Sequence, residues 1–343
     1  MSASRQLSLA RDRDSHNGTV IDAHNHLGRW LSPTRDWLVP DVDALLALMD
    51  AASVELVVNL DGRWAEELDA NLDRYDRAHP ERFATFCHVD WGALGQDDSS
   101  AAQVERMTRQ LQASAASGAR GVKVWKDLGL DVRDTSGTLV PPDDSRVVDV
   151  LRAAGELGLP VLIHTADPVA FFEPLTPDNE RFDELQVHPE WWFGAPGYPA
   201  FAELIAALDR LLAACPGTTF VGAHVGCWAE DLDAVGRMLL RHPHWNIDLG
   251  GRLGELGRRP AAFRRLVEAF PDRVLLGTDC FPPTADDYAR YRRFLETDDV
   301  GFDYSGEPTP PQGSWTIDGA ALDPALLPAL CSGNARRLLS LTD

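Results

Sequence analysis

The sequence predicts a single (β/α)8 TIM barrel, mainly because of the order of its apolar segments. Eight short apolar runs alternate with longer stretches whose apolar residues recur at three- and four-residue spacing. Most runs are rich in β-branched residues and apolar on both faces, as in a parallel sheet covered on both sides. A doubly wound open sheet would also alternate in this way, but no glycine-rich dinucleotide motif follows the first run.

Most of the eight predicted strands are bounded by Gly, Pro or Asp, which favour turns. The strands cover residues 19–26, 54–61, 82–90, 120–126, 159–166, 218–226, 244–251 and 273–281. Helices are predicted between them, most clearly at 41–52, 144–158, 201–215 and 260–270. Gly158 and Pro160 end the second of these helices, and Pro260 begins the last.

Two segments interrupt the alternation and are predicted as insertions in one domain. Residues 167–199 follow the fifth strand and are rich in aromatic residues, which is typical of an active-site lid. Residues 298–322 are rich in Pro and Gly and precede a final helix around 323–341. We predict a flexible N-terminal leader at 1–18 and a single barrel domain at 19–343.

Composition excludes several classes of function. The chain has 343 residues, 44% of them hydrophobic, and a formal net charge of −21 with a pI near 4.8. Such a charge repels phosphate backbones and anionic lipid, so we expect no nucleic-acid or membrane partner. A small-molecule substrate is expected instead, and an anionic one would need local positive charge.

The cysteine pattern and the hydropathy indicate a reduced cytoplasmic protein. The five cysteines show no paired spacing, and their odd number argues against a disulfide framework. No run approaches the roughly 20 apolar residues of a membrane-spanning helix. The sequence leaves the oligomeric state open, and a homo-oligomer is compatible with it.

The segment TVIDAHNHLG at residues 19–28 contains the first functional candidates. His24 and His26 lie two residues apart at the end of the first predicted strand. Because side chains alternate along a strand, both imidazoles and Asp22 are expected on one face. Neighbouring imidazoles at a strand end suit a shared metal ion, although a pair of solvated histidines can have the same spacing.

Three other strand ends carry residue types that bind metals. His164 ends the fifth strand, His224 the sixth and Asp279 the eighth. The C-terminal ends of barrel strands form one rim, where active sites are built. Any one of these residues alone is more often structural, but all of them meeting at one rim indicates a site. Histidines with a carboxylate suit a first-row divalent ion that keeps a position open for water.

These residues, with the closing SGNARRLL at 332–339, resemble the metal-dependent amidohydrolase superfamily. The similarity covers about residues 19–341 and is greatest to the amidohydrolase-2 branch, which includes aminocarboxymuconate-semialdehyde decarboxylase. The resemblance implies a barrel enzyme with four metal ligands, namely His24, His26, His164 and Asp279. It also implies that His224 is a catalytic acid or base, or a ligand of a second metal.

The fourth strand bears on the number of metals. Some superfamily members bridge two metals there with a carboxylated lysine or a glutamate. The segment GVKVWKD offers Lys123 and Lys126, and alternation places Lys123 inward and Lys126 on the other face. Lys123 could be carboxylated, could pair with a substrate carboxylate, or could be buried with a protein partner. The usual fourth strand of this branch favours one divalent metal per chain, for which we expect zinc.

Three further residues are candidate substrate contacts, in addition to Lys123. Arg252 follows the seventh strand and could bind a carboxylate through two nitrogen atoms, or be an exposed loop arginine. His188 and Trp191, in the segment HPEWWFG, belong to the predicted lid. They could reach the substrate or only fix the loop.

The residues leave three functions open. In a hydrolase of an amide, lactone or ester, metal-activated water would attack, Asp279 would take its proton, and His224 would stabilise the oxyanion or protonate the leaving group. In a non-oxidative decarboxylase of a small cyclic or aromatic acid, Lys123 and Arg252 could provide the cation beside the departing carboxylate. Of these two reactions, the sequence favours hydrolysis. A non-catalytic binding barrel is disfavoured because the ligand set is complete.

Overall fold

The computed structural model describes residues 18–307 and 311–341 and contains the predicted parallel α/β fold. The predicted leader lies outside the described residues except for Gly18. Among the described residues, no helix is long and apolar enough to cross a membrane.

In the described part of the chain, nine short parallel strand segments correspond to the eight predicted barrel strands. They are β1 Val20–Asn25, β2 Val54–Asn59, β3 Phe83–Thr85, β4 Cys87–His88, β5 Val122–Val124, β6 Val161–Ile163, β7 Phe220–Gly222, β8 Trp245–Asp248 and β9 Val274–Leu275. β3 and β4 are two parts of the third predicted strand, separated only by Phe86. Segments β1 to β3 pair in chain order, and so do β4 to β9.

Backbone hydrogen bonds link these two groups of strands on both sides. Between the second and third strands, the Phe86 N–H donates to the Asn59 carbonyl at 2.9 Å and the His88 N–H to the Arg63 carbonyl at 2.8 Å. Between the first and last strands, the Ala23 N–H donates to the Leu276 carbonyl at 2.9 Å. The sheet therefore returns to β1, and the strand ends that carry the candidate residues meet at one rim.

Helices follow the strands, as the apolar spacing predicts. The main helices are Val42–Ala51, Ala65–Leu72, Ser100–Ser117, Ser145–Glu156, Phe201–Ala214, Leu232–Arg241, Pro260–Ala269 and Ala285–Glu296. Shorter helices are Phe182–Val187, Leu253–Leu256 and Asn334–Leu338. Side-chain oxygens accept from backbone N–H groups at several helix starts, for example Asp41 and Asp144. Their polar caps explain why these helices begin where the sequence predicts.

Apolar residues of the strands form a buried cluster that also includes the C-terminal helix. Ile21, Leu56, Leu162 and Val221 pack together with Ala335 in this cluster. A larger cluster joins the remaining strand residues to the surrounding helices. Both faces of the strands are thus covered, which explains their continuous apolar runs.

Asp22 departs from the simple alternation predicted for β1. Its carboxylate accepts hydrogen bonds from the Thr278 N–H and hydroxyl at 2.9 and 2.7 Å, and from the Tyr288 hydroxyl at 3.0 Å. Tyr288 lies on the helix Ala285–Glu296, so Asp22 does not join His24 at the rim. The physical reason is an irregular register between Asp22 and Asn25, where strict alternation fails.

Substituting Asp22→Ala should lower the free energy of unfolding by about 3 kcal/mol or more, because several buried donors would lose their acceptor. Thermal and urea unfolding measure this change. Asp149→Ala is the matched control, since Asp149 is exposed and should have an effect below about 0.5 kcal/mol. Equal unfolding curves for the two variants would contradict this role for Asp22.

Candidate metal centre

His24 and His26 each make a hydrogen bond to a buried carboxylate through one ring nitrogen. His24 Nδ1 lies 2.9 Å from Asp248 Oδ2, and His26 Nδ1 lies 2.6 Å from Asp61 Oδ1. All four side chains are almost completely buried. Because a carboxylate accepts a hydrogen bond, each Nδ1 carries the proton and each Nε2 keeps a free lone pair.

The two free nitrogens converge on Asp279. Asp279 Oδ1 lies 3.6 Å from His24 Nε2 and 3.5 Å from His26 Nε2. The ligand atoms of these three residues all lie within 4.8 Å of one another. Ligands of one divalent ion, each about 2.0–2.2 Å from it, have similar mutual separations.

An unpartnered atom provides an independent test of whether a metal fits. His26 Nε2 is buried and has no hydrogen-bond partner among the described residues. Burying such a nitrogen without a partner is costly, and a divalent cation would remove that cost. Two imidazoles held on their far side by carboxylates, facing a third carboxylate, are the arrangement that metal sites use. The residues present therefore fit a divalent metal ion.

His164, the fourth predicted ligand, lies at the same rim but outside this group of three. Its Nε2 lies 3.2 Å from Asp167 Oδ1, and its Nδ1 is buried without a partner. Its ring centre is 4.4 Å from that of His224. The structure thus brings together three predicted ligands, while ligation by His164 stays a prediction.

His224 reaches the rim through a left-handed turn rather than through a strand. The predicted strand 218–226 ends at Gly222, and His224 follows with a φ of 57°. The His224 N–H donates to Asp248 Oδ1 at 3.0 Å, and His224 Nδ1 lies 2.7 Å from the Gly250 carbonyl. A carbonyl can only accept, so Nδ1 carries the proton and Nε2 is left as an acceptor.

Burial keeps these imidazoles neutral. It lowers the pKa of His24 and of His224 well below the ordinary value, and neighbouring positive groups add to the effect. Burial also lowers the pKa of His164 to about 4, although the Asp167 carboxylate opposes it. Neutral imidazole is the form that binds metals, so these histidines need not lose a proton first at neutral pH.

Lys123 points inward, as predicted. Its side chain is 1% exposed, and its ammonium nitrogen lies 3.5 Å from His24 Nε2. Burial lowers the pKa of Lys123 to about 8, while Asp279 and Asp248 oppose the shift. Among the described residues, no carboxylate lies within ion-pairing distance of this ammonium group.

Lys126 also approaches the rim, although alternation placed it on the opposite face. β5 ends at Val124, so alternation no longer applies two residues later. The Lys126 ammonium group makes a short ion pair with Asp167 and lies 5.7 Å from the ring centre of Trp191.

The other predicted substrate contacts have different surroundings. Arg252 is only 9% exposed and donates to the Gly251 carbonyl at 3.0 Å, so it is not the exposed loop arginine that the sequence allowed. Trp191 stacks on His188, with ring centres 3.9 Å apart. No contact joins His188 to the group of three ligands in the part of the chain that the structure describes.

Arg63 is a candidate that sequence reasoning did not identify. Its guanidinium group lies between the rings of Trp30 and Trp64, 4.7 and 4.2 Å from their centres. This guanidinium group makes no hydrogen bond or ion pair with any described residue, and burial lowers the pKa of Arg63. Arg63, Lys123 and Trp125 line one cavity of about 240 Å³. The only sequence signal is its position just after the second strand.

Comparison with known proteins identifies the family. The sequence profile described as amidohydrolase matches residues 21–341. No curated protein sequence matches the chain significantly. This chain belongs to the amidohydrolase family, in agreement with the resemblance of its rim residues.

Three solved structures are similar to the fold. A dihydroxybenzoic acid decarboxylase from Polaromonas sp. JS666, with bound manganese and the inhibitor 2-nitroresorcinol, is 15% identical, with 94% of this chain and 97% of that chain covered and a TM-score of 0.60. A 2,6-dihydroxybenzoate decarboxylase from Rhizobium is 16% identical over 94% and 99%, with a TM-score of 0.59. An amidohydrolase from Burkholderia multivorans with bound zinc is 18% identical over 94% and 100%, with a TM-score of 0.53. At these identities the similarity shows the fold.

Protein purified without chelator should contain about one divalent ion per chain, because the two groups of possible ligands at the rim, His24–His26–Asp279 and His24–His224–Asp248, share His24. Elemental analysis measures the content and identifies the ion. His26→Ala should lose most of it, since it removes an inward nitrogen. Metal-free protein that turns over substrate would contradict the site, and two ions per chain would indicate Lys123 as a bridging ligand.

His224→Asn should keep close to the wild-type metal content while turnover falls by roughly 10²-fold or more, the usual scale for a lost acid or base. The variant tests chemistry apart from metal binding. Metal content, melting temperature and turnover are to be measured on one preparation. Parallel loss of metal and activity would make His224 a ligand, and unchanged turnover would remove it from the mechanism.

Proposed function

We propose that this amidohydrolase-family protein is a metal-dependent decarboxylase that releases carbon dioxide from a small aromatic or other cyclic acid without oxidation. The observation that carries the proposal is Lys123, an ammonium group buried 3.5 Å from the metal-facing nitrogen of His24 with no ion-pair partner among the described residues. The sequence had favoured hydrolysis. The surroundings of Lys123 and Arg63 support decarboxylation more directly.

The buried ammonium group of Lys123 needs an anionic partner. Burying an ammonium group without an ion-pair partner is costly, because the charge loses its hydration. A substrate carboxylate beside Lys123 would supply the missing partner. The same carboxylate would be the group that leaves.

Arg63, in the same cavity as Lys123, also supports an acidic substrate. Its guanidinium group is held by two indole rings, which fix its position but satisfy none of its N–H donors. Guanidinium groups bind carboxylates through two parallel hydrogen bonds. Arg63 and Lys123 therefore offer two cationic groups to an anion in one cavity, which also contains the carboxylates of Asp90, Asp127 and Asp131.

Aromatic side chains around the ligands support a flat substrate. The ring centres of Trp125 and Phe281 lie 5.7 and 5.2 Å from that of His26, and Trp30 lies edge-on to Trp125 at 5.0 Å. Aromatic faces and edges favour planar cyclic ligands. The names of the similar decarboxylases, which act on dihydroxybenzoates, agree with this preference.

The residues suggest the following roles. A bound divalent ion, held by His24, His26 and Asp279 with His164 as the fourth ligand, would supply positive charge for substrate oxygen atoms. Lys123 and Arg63 orient the carboxylate. The bond between the carboxylate and its carbon breaks, carbon dioxide leaves, and that carbon takes a proton that Asp279 relays from water, which can reach its carboxylate. His224 is the base: its Nε2 takes a proton from a substrate hydroxyl group and returns it at the end of the turnover.

Hydrolysis is the second candidate, and the exposure of Asp279 favours it. The Asp279 side chain is 21% exposed, whereas His24 and His26 are closed off, so water can reach this carboxylate. Asp279 could then act as the general base.

Zinc is the expected ion from the sequence, and the similar proteins with bound manganese or zinc support either metal.

The proposal predicts release of carbon dioxide from one member of a panel of hydroxylated aromatic acids, and no cleavage of matched esters, lactones and amides. Lys123→Met and Arg63→Met should each lower kcat/KM by about 10²-fold or more, the scale for a lost charge-assisted contact. Arg109→Met is the surface control, because Arg109 is 67% exposed. Cleavage of an ester, lactone or amide with no decarboxylation would overturn the proposal in favour of hydrolysis.

A further inference from the structure

We propose that Asp167, held in place by Lys126, is a positioning residue that fixes His164 with its Nδ1 atom free to bind the metal. The inference rests on the metal-binding part of the proposed function and not on the reaction catalysed. It concerns two residues, Asp167 and Lys126, to which the sequence assigned no role.

The three side chains form a buried chain of contacts. Lys126 makes a short ion pair with Asp167 Oδ2, and Asp167 Oδ1 lies 3.2 Å from His164 Nε2. Asp167 and His164 are each 5% exposed. Since the carboxylate can only accept, the His164 proton lies on Nε2, and the buried Nδ1 atom is left with a lone pair and no partner.

Like His24 and His26, His164 has a carboxylate beside one ring nitrogen, but that nitrogen is Nε2 instead of Nδ1. Asp248 and Asp61 bind the Nδ1 atoms of His24 and His26 and leave their Nε2 atoms for the metal. Asp167 binds Nε2 of His164, so Nδ1 is the atom left over. Metal-binding histidines almost always donate their other N–H to a carboxylate, a carbonyl or water. A third such pair at one rim indicates a third ligand histidine.

His164 also differs from the other two histidines in the distance along the chain to its carboxylate. Asp248 is 224 residues from His24, and Asp61 is 35 residues from His26. Asp167, in contrast, lies only three residues after His164, in the segment that leaves β6.

Lys126 gives Asp167 a fixed position and links it to the predicted lid. Besides its ion pair with Asp167, its ammonium group lies 5.7 and 5.6 Å from the ring centres of Trp191 and Phe193. The chain contains only two lysines, Lys123 and Lys126, and both lie at this rim. Segment 167–199 is thus joined at its first residue to a candidate ligand.

The affinity of metal-free protein for Zn²⁺ tests the proposal, measured by competition with a chromogenic chelator. Asp167→Ala should weaken binding by about 10- to 100-fold, the usual effect of removing a partner of a metal ligand. Asp167→Asn should weaken it less, because its amide oxygen can still accept from Nε2. Lys126→Met should weaken binding several-fold. Asp149→Asn, an exposed Asp→Asn change, should leave the affinity at the wild-type value.

The protonated nitrogen of His164 is a second readout, which a merely structural role would not move. In ¹⁵N-histidine-labelled, metal-free protein, NMR should show neutral His164 with its proton on Nε2 in the wild type, and a mixture of the Nδ1–H and Nε2–H tautomers in Asp167→Ala. His164→Ala assigns the signal. If Asp167→Ala fails to fold, Asp167→Asn and Lys126→Met carry the affinity test.

Wild-type affinity in Asp167→Ala, or in both other variants if it does not fold, would overturn the inference. So would an unchanged His164 proton in Asp167→Ala. Neither readout requires a substrate. A failure to find decarboxylation would therefore leave this test intact, and a failure here would leave the reaction open.

Discussion

The site depends on burying several neutral imidazoles side by side while fixing which nitrogen of each faces inward. Burial removes the protons that would otherwise repel a cation, since it lowers the pKa of His24, His164 and His224. Carboxylates on the far nitrogens of His24 and His26 then fix the rings and their tautomers. These hydrogen bonds make two nitrogens and one carboxylate converge.

The same arrangement creates a demand for positive charge. Asp61, Asp248 and Asp279 lie close together, and the first two are buried. A divalent ion and Lys123 would balance these carboxylates, which explains how a chain of net charge −21 keeps an ammonium group inside its barrel. At physiological ionic strength the acidic surface is screened beyond roughly 8 Å, so cations near the metal can still bind an anionic substrate at short range.

Much of the fold and part of the site follow from local sequence pattern. Apolar runs and their turn residues predict the strands, and the rule that barrel sites lie at strand ends selects His24, His26 and Asp279. Local pattern is insufficient where the backbone leaves its regular form. The irregular register of β1 turns Asp22 away from the rim, and the left-handed turn after β7 sets the orientation of His224. The carboxylate partners are distant in the chain, so their pairing depends on tertiary structure.

A crystal structure of the manganese-loaded protein tests the central claim most directly, because it shows which atom of each histidine binds the ion. The account predicts one ion bonded to Nε2 of His24, Nε2 of His26 and a carboxylate oxygen of Asp279, with Asp248 and Asp61 still on the Nδ1 atoms. An ion held elsewhere on the chain would contradict it. So would an ion bound to Nδ1 of His24 or His26 in place of the Asp248 or Asp61 carboxylate.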